Sequence, residues 1–158
     1  MGFLNCTKLI EISLPNCLYL GSIAFSSCNQ LISVYLPKCE KVQNYAFHNC
    51  IKLTEISLPS CLSLGSSAFS GCTKLAAVSL SNCKYIGSGA FSKCYNLSSL
   101  TLGPSCSLAH SSVFYSTPYA GYKTSFSGTP YIYVPSSRLS WYKSATYWSK
   151  FSSYFVGY

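Results

Sequence analysis

Ten cysteines are the residues of this chain with the widest range of possible chemistry, because thiols can form disulfides, bind metals or act as nucleophiles. Nine of them follow one another at steps of 11 residues, and the tenth comes after a step of 12. They form two alternating series: Cys6, Cys28, Cys50, Cys72 and Cys94, and Cys17, Cys39, Cys61, Cys83 and Cys106. No C-x-x-C pair occurs, so the spacing predicts neither a metal site nor another cofactor.

The even number of cysteines is compatible with disulfides in a secreted protein. Equivalent cysteines of stacked repeats would have Cα atoms about 5 Å apart, within the range of a bridge. Their side chains would point the same way, however, so a dihedral of about 90° requires a twisted backbone. The alternative is a set of buried free thiols that pack in the core and hydrogen-bond to turns. The pattern favours the free thiols, and disulfides remain the alternative.

Other chemically active groups are few. Glu11 and Glu55 occupy the same position two repeats apart, hence roughly 10 Å from each other, near the upper end of the ~6.5–9.5 Å that inverting glycosidases use. An open face would not raise the pKa of either carboxyl group, so a general acid is missing. His48 and His110 fall in turns three repeats apart, and the chain has no Asp to orient either one. We therefore expect no enzymatic activity.

A repeat of 22 residues positions all these groups. Its first copy, CTKLIEISLPNCLYLGSIAFSS, starts at Cys6 and predicts one short strand that Pro15 ends. The return leg closes with an Ala-Phe pair in each of the first four units, and the phenylalanines are expected to stack: Phe25, Phe47, Phe69 and Phe91. One unit cannot bury these groups alone, so stacked units with parallel strands ~4.8 Å apart must share a core.

The pattern C-x-x-L-x-x-I-x-L-P-x-C-x-x-L-G-x-x-A-F resembles the BspA-like leucine-rich repeats of bacterial surface antigens, from residue 2 to residue 114. The resemblance implies a repeat solenoid with a parallel sheet on its concave side and irregular or short-helical turns on its convex side. It also implies a secreted or surface-attached protein that takes part in adhesion. A parallel β-helix of similar rung length is the alternative fold, against which the L-x-x-I-x-L-P and Ala-Phe motifs argue.

The chain divides into a repeat array over residues 1–114 and a Tyr-rich loop with a C-terminal cap over 115–158. The array has a partial repeat at 2–5 and repeats from residues 6, 28, 50, 72 and 94. Because residues 2–5 stand in the place of an Ala-Phe tail, we expect the chain to begin within an earlier repeat. Its first edge would then be uncapped and open to self-association.

The C-terminal run YVPSSRLSWYKSATYWSKF resembles the closing segment of the same family. Residues 115–130 are predicted to form a loop, and residues 131–134 a last short strand. Pro135-Ser136-Ser137 is then predicted to cap one helix. The apolar residues of that helix would be Leu139, Tyr142, Trp148, Phe151 and Phe155.

Two surfaces are candidate binding sites. The first is the concave strand face, whose outward positions are Glu11, Ser13, Ser33, Tyr35, Glu55, Ser57, Ala77, Ser79, Ser99 and Thr101. Concave solenoid faces commonly bind partners, although such a face can also be merely solvated. The second consists of C-terminal aromatic residues, which could stack on sugars or form the core of the cap: Tyr115, Tyr119, Tyr122, Tyr131, Tyr133, Trp141 and Trp148.

The net charge of +8 arises from 11 basic and 3 acidic residues. The basic residues are scattered singly, so no nucleic-acid site is expected, and no apolar run reaches the ~20 residues of a membrane span. The expected function is an extracellular or cell-surface module for adhesion or protein–protein interaction. A protein partner is favoured over a glycan. The alternatives are a structural spacer in a longer surface protein and a carbohydrate-binding module that uses the C-terminal aromatic residues.

Overall fold

The computed structural model describes residues 3–118 and 130–158. The repeats stack as predicted, and equivalent residues of neighbouring repeats pair in parallel, as Glu11 does with Ser33 and Ala77 with Ser99. The first strands of the repeats, continued by two C-terminal strands, form what we call the front sheet. Its strands are β1 (Glu11–Ser13), β3 (Ser33–Tyr35), β5 (Glu55–Ser57), β7 (Ala77–Leu80), β9 (Ser99–Leu102), β11 (Tyr131–Val134) and β12 (Phe155–Gly157).

Each repeat contains two strands, so the prediction of one strand per unit was wrong. The second strand lies in the return leg and is two residues long, with its first residue facing outward and its second buried. These strands form a continuous parallel back sheet: β2 (Tyr19–Leu20), β4 (Lys41–Val42), β6 (Ser63–Leu64), β8 (Tyr85–Ile86) and β10 (Ser107–Leu108). Stacking brings the return-leg backbones into register, and their N–H and C=O groups pair because burial without a partner is costly.

Proline sets the length of the front strands. β1, β3 and β5 have three residues each, and Pro15, Pro37 and Pro59 follow two positions after their last residue. In the fourth repeat Ser81 takes the place of proline, and β7 extends to four residues, ending at Leu80. Since proline has no N–H to donate to a ladder, its absence allows the strand to continue by one residue.

The core is a stack of phenylalanine rings with columns of Leu, Ile, Val and Cys around it. The Phe25 and Phe47 rings have centroids 5.5 Å apart, and those of Phe47 and Phe69 are 5.1 Å apart, in each pair with nearly parallel planes. The predicted stack is thus confirmed, and it is longer than predicted. Phe3 extends it at one end and Phe114 at the other.

Two positions in each of the first four repeats adopt the left-handed backbone region, which the sequence analysis did not foresee. One follows the return strand and holds Ile23, Tyr45, Ser67 and Gly89. The other precedes the first cysteine and holds Asn5, Ser27, Asn49, Gly71, Lys93 and, after the fifth repeat, Ser116. The residue types vary because the turn is imposed by stacking on neighbouring repeats. A branched residue such as Ile23 is therefore held at a positive φ of 61° at a conformational cost.

The front sheet is interrupted between β3 and β5. Its strands form a two-stranded piece, β1–β3, and a five-stranded piece, β5–β7–β9–β11–β12, while the back sheet has no such break. Val34, which faces the core from β3, is only half-buried, whereas Ile56 and Val78 in β5 and β7 are buried. The break therefore opens a cleft from the front surface toward the core.

The C-terminal segment is less regular than predicted. A 3₁₀-helix (Ser136–Arg138) leads into α1 (Leu139–Ser144), and a second 3₁₀-helix (Trp148–Tyr154) follows. Neither of the first two helices has a side-chain cap, so the predicted capping by residues 135–137 was wrong. The predicted single helix is broken before Trp148, because Tyr147 takes a left-handed φ of 64°.

Phe155 belongs to β12 and not to a helix, so the prediction that residues 131–134 form the last strand was also wrong. β12 pairs in parallel with β11, with Ile132 opposite Phe155, and becomes the outer strand of the front sheet. This pairing satisfies the backbone groups of β11 that would otherwise form the exposed edge.

Side-chain hydrogen bonds attach the cap to the fifth repeat. The Tyr142 hydroxyl donates to the Gly103 carbonyl oxygen at 2.9 Å, and Arg138 Nε donates to the Pro104 carbonyl oxygen at 2.7 Å. Trp148 Nε1 donates to the Cys106 carbonyl oxygen. Burial raises the pKa of the Tyr142 phenol, which keeps it protonated as a donor. Within residues 3–118 and 130–158, no helix is long and apolar enough to cross a membrane.

Candidate binding face

The outward side chains of the front strands form one surface, which we call the front face. Strand alternation places Ile12, Ile56 and Leu100 toward the core and the predicted binding residues toward solvent. The first six of these residues are exposed: Glu11, Ser13, Ser33, Tyr35, Glu55 and Ser57. The last four are partly covered: Ala77, Ser79, Ser99 and Thr101.

A cleft of about 450 Å³ occupies the middle of the front face. It lies over the interruption between β3 and β5 and extends across β7 to β9. Its lining residues are Ile32, Ser33, Val34, Thr54, Glu55, Ile56, Ser57, Ala77, Val78, Ser79, Ser99 and Thr101. Tyr35 adjoins this lining with 57% of its surface exposed. The cleft therefore combines small hydroxyl side chains, a carboxylate and a route to apolar groups.

A second cavity, of about 530 Å³, lies at the C-terminal end of the front face. Ser81, Ser99, Thr101, Tyr133 and Tyr158 line it. β11 pairs with β9 so that Tyr131 is opposite Ser99 and Tyr133 is opposite Thr101. This pairing puts tyrosine rings at the end of the hydroxyl-bearing part of the face.

The charge on the front face has the opposite sign from that of the whole chain. Among the ten outward positions from β1 to β9, the only charged side chains are Glu11 and Glu55. Several lysines are instead held in turns, where Lys38 Nζ donates to Asn16 Oδ1 at 3.0 Å and Lys52 Nζ donates to Gln30 Oε1. The two carboxylates lie on opposite sides of β3 and are both exposed, an arrangement that supplies no buried general acid.

All ten cysteines are free thiols in the structure. In the first series, each sulfur from the second repeat onward donates to a phenylalanine carbonyl of the preceding repeat: Cys28 to Phe3, Cys50 to Phe25, Cys72 to Phe47 and Cys94 to Phe69. In the second series the sulfur bonds to the carbonyl two residues ahead: Cys17 to Tyr19, Cys39 to Lys41, Cys61 to Ser63 and Cys83 to Tyr85. The first series thus forms a ladder of hydrogen bonds between repeats, whereas the second bonds mainly within its own repeat, as Cys106 does with the Ser107 carbonyl.

The core makes these thiols poor nucleophiles. Burial raises the pKa of Cys28 to about 11 and is also the main reason that Cys39 has a pKa of about 11. Hydrogen bonding to the neighbouring thiol of Cys106 is the main cause that raises the pKa of Cys83 to about 12. Because the thiolate is the reactive species, chemistry at these positions is suppressed. Their role is structural.

The two histidines lie in separate turns. His110 has a function that the sequence analysis missed, since its Nδ1 accepts from the Ser112 amide at 3.1 Å and caps the 3₁₀-helix Ser111–Phe114. A hydrogen-bonding side chain directly before a short helix is the sequence pattern that could have indicated this cap. The pKa of His48 is lowered by burial, and its Nδ1 has no hydrogen-bond partner within the described chain. Neither histidine joins a catalytic group.

The predicted aromatic surface is divided by the structure. Trp148 is fully buried in the cap, and Trp141 is half-buried and contacts Arg138, whose guanidinium carbon lies 5.1 Å from the centre of its ring. Tyr131 and Tyr133 lie on the front face with ring centroids 6.1 Å apart. Tyr115 is exposed after the 3₁₀-helix of the fifth repeat. The predictions for Tyr119 and Tyr122 fall outside the described residues.

The side chains that could bind a metal ion are dispersed over residues 3–118 and 130–158. No group of three or more His, Cys, Asp or Glu side chains there is placed to hold a metal ion. The cysteine columns are held by hydrogen bonds to carbonyl groups, and the carboxylates of the front face are separated by a strand.

Stacked units of 22 residues, a parallel front sheet and a continuous core of Leu and Phe define a leucine-rich-repeat solenoid. The chain belongs to the BspA-type leucine-rich-repeat family, whose model matches residues 2–120 in six copies. Leucine-rich-repeat modules are typically protein-binding scaffolds and generally non-catalytic.

Two solved structures of bacterial proteins are similar to this chain. A leucine-rich-repeat protein from T. pallidum has 30% identity and a TM-score of 0.45, and the match covers 64% of this chain and 59% of that one. A leucine-rich-repeat protein from Bacteroides ovatus has 24% identity and a TM-score of 0.48, with 86% of this chain and 46% of that one covered. The matches thus span about half the length of these relatives. No curated protein matches the chain.

Proposed function

We propose that this chain is an extracellular or cell-surface binding module that holds a protein partner on its front face. The observation that carries the proposal is the cleft over the interruption between β3 and β5, beside the exposed ring of Tyr35. BspA-type repeats are often found in surface proteins, which supports the location. Adhesion is the activity that this location and this surface suit best.

Tyr35 has the chemistry of a binding anchor. Its large ring is 57% exposed, whereas the neighbouring outward positions in its column hold the small residues Ser13 and Ser57. A partner that covers this part of the face would bury the ring against a flat floor. Tyrosines in such central positions often contribute a large share of the binding free energy.

The facing edges of β3 and β5 offer backbone groups to a partner. No hydrogen bond joins these strands in the described chain, although equivalent bonds, such as that from the Ala76 amide to the Thr54 carbonyl oxygen, join β7 to β5. Backbone groups that are free to bond are a common means of holding an extended peptide. Glu55 lies beside them, so a partner segment with a basic side chain is favoured.

An array of extracellular matrix proteins tests the proposal, with this chain immobilised and each binder titrated. Tyr35→Ala should weaken binding of any matrix protein that the chain retains by roughly tenfold or more. Tyr19→Ala is the matched control, because that tyrosine is 63% exposed but lies on the back sheet. A structural spacer, which is the alternative, would retain no matrix protein. Equal losses for the two variants would contradict the use of the front face.

A further inference from the structure

The C-terminal cavity of the front face differs in chemistry from the cleft at β3 and β5. Two tyrosine rings and three aliphatic hydroxyl groups line it: Tyr133, Tyr158, Ser81, Ser99 and Thr101. No Lys, Arg, His, Asp or Glu side chain is among these residues. The described part of the cavity therefore presents aromatic faces and hydroxyl groups to a ligand, and no charged side chain.

Tyr158 is held in place as one wall of this cavity. Its hydroxyl donates to the Leu102 carbonyl oxygen at 3.0 Å, so its side chain reaches from the end of β12 to the end of β9. Its backbone is fixed as well, because its amide donates to the Val134 carbonyl and its own carbonyl accepts from the Ser136 amide. Gly157 allows this close approach, since a Cβ there would lie 2.6 Å from Ser136 Oγ. A wall fixed before binding lowers the entropy cost of holding a ligand.

The opposite side of the cavity is formed by β9 and β11. Ser99 and Thr101 point outward from β9, and their hydroxyl groups make no hydrogen bond to the described part of the chain. Tyr133 projects beside Thr101 on the next strand, with its ring partly covered. These hydroxyl groups are thus available to a ligand, next to an aromatic surface of fixed orientation.

We propose that this cavity is a subsite for a neutral saccharide. A sugar ring carries C–H groups on its faces and hydroxyl groups around its rim. Its face can pack on the Tyr133 or Tyr158 ring, while its rim hydroxyls exchange hydrogen bonds with Ser99 and Thr101. An anionic sugar is disfavoured, because none of the described lining residues has a positive side chain to offset its desolvation.

The saccharide subsite and the protein cleft share Ser99 and Thr101, but the tyrosine of each site lies far from that of the other. Tyr35 and Tyr133 occupy the same column of the front face four strands apart, which corresponds to about 19 Å at the spacing of paired strands. Substitution of one residue therefore leaves the other site intact. A glycoprotein could contact both sites at once, but binding at each site can be tested separately.

The test is isothermal titration of the full chain with four neutral tetrasaccharides: cellotetraose, chitotetraose, mannotetraose and xylotetraose. We expect at least one to bind with a dissociation constant in the millimolar range or below. Tyr133→Ala should then weaken binding by roughly tenfold, and the distant Tyr35→Ala should leave it unchanged. Thr101→Val keeps the side-chain shape, removes one hydroxyl and should weaken saccharide binding several-fold. This variant provides the test if Tyr133→Ala does not fold.

Two outcomes would overturn the proposal: no tetrasaccharide binds at 10 mM, roughly the concentration needed to detect a weak site, or binding is indifferent to both variants. Capture of an uncharged tyrosine- and serine-rich peptide by the same cavity, with loss in Tyr133→Ala, would show a peptide site instead. Retained saccharide binding with no binding to matrix proteins would leave this subsite standing and remove the proposed protein partner. Binding of a matrix protein without binding of any saccharide would remove this subsite and leave the proposed protein partner standing.

Discussion

The thiol of Cys50 donates a hydrogen bond to the backbone carbonyl oxygen of Phe25, 3.2 Å away in the preceding repeat. Each such bond ties the first turn of one repeat to the aromatic stack of its neighbour. The thiol is fully buried, fills space as a small apolar group and is a second donor to a carbonyl that also accepts from the Cys28 amide. The cysteine ladder is therefore a stabilising element between repeats.

Removal of one thiol from the middle of this ladder should be costly. Cys72→Ala removes one of two donors to the Phe47 carbonyl oxygen, the sulfur 3.0 Å away, and leaves the Cys50 amide at 3.2 Å. It also removes a fully buried side chain from the core, so we expect the free energy of unfolding, measured by urea denaturation, to fall by about 1–3 kcal/mol. Cys17→Ala is the control, because that thiol is half-buried at the open end and should cost less than about 1 kcal/mol. Equal losses of unfolding free energy in the two variants would show that burial of a thiol does not determine its contribution to stability.

Thiol reactivity should follow burial along the array. In the native protein at pH 8, iodoacetamide should modify only Cys6 and Cys17, the two half-buried cysteines. Cys28 and Cys39 have pKa values of about 11, so little thiolate is present even where the reagent can reach them. After denaturation without reductant, intact-mass analysis should count ten modified thiols. A count near zero, corresponding to five disulfides, would contradict the free-thiol ladder.

Truncation within the aromatic stack should be far more destabilising than truncation on the front face. Phe47→Ala opens a cavity between Phe25 and Phe69 and should lower the free energy of unfolding by ~3–5 kcal/mol. Ser57→Ala, at an exposed strand position, should change it by no more than ~0.5 kcal/mol. Thermal and urea unfolding measure both. Similar losses would mean that the inward and outward positions of the strands are assigned wrongly.

The left-handed turn at Ile23 should be a site for stabilisation. Ile23 has a φ of 61° and is 45% exposed, so glycine there would relieve strain while little burial is lost. Gly89 occupies the equivalent position of the fourth repeat. We expect Ile23→Gly to raise the free energy of unfolding by up to about 1 kcal/mol. Ile10→Gly, at an exposed position with ordinary φ, should lower it, and a loss in both variants would rule out strain at Ile23.

The N-terminal end of the solenoid should self-associate. A cavity of about 370 Å³ opens there beside Phe3, which is 50% exposed, and Phe25. A Cβ at Gly21 would meet no atom within 4 Å, whereas one at Gly65 would lie 2.6 Å from the preceding repeat. Exposed apolar surface of this kind favours association with a second copy of the chain.

Light scattering should show mass increasing with protein concentration, and Phe3→Glu should suppress the increase. Ser153→Glu introduces the same charge on the covered C-terminal end, where Ser153 is exposed, and should have no effect. Monomers at every concentration would mean that the N-terminal edge does not attract a second copy.

The repeat made most of the fold predictable. A residue such as Phe47 or Cys50 recurs at a fixed spacing, and a stacked solenoid is the arrangement that buries every copy in the same way. The alternation around Ile12 and Ile56 likewise determined which side chains face outward, because a strand points successive residues to opposite sides. Stacking, strand direction and the outward positions of the front face therefore follow from sequence alone.

The features without periodicity were decided by tertiary structure. Phe155 falls at a helical spacing from Phe151 in the sequence but forms a strand. It does so because its segment pairs with the edge of β11 and satisfies the backbone groups there. The wall made by Tyr158 depends on the Leu102 carbonyl, 56 residues away in the chain, which no local pattern encodes. The opening between β3 and β5 is likewise a property of how two repeats with the same pattern pack. Local sequence specifies which residues each repeat must bury. The contacts between segments that are distant in the chain determine where the two proposed binding sites lie.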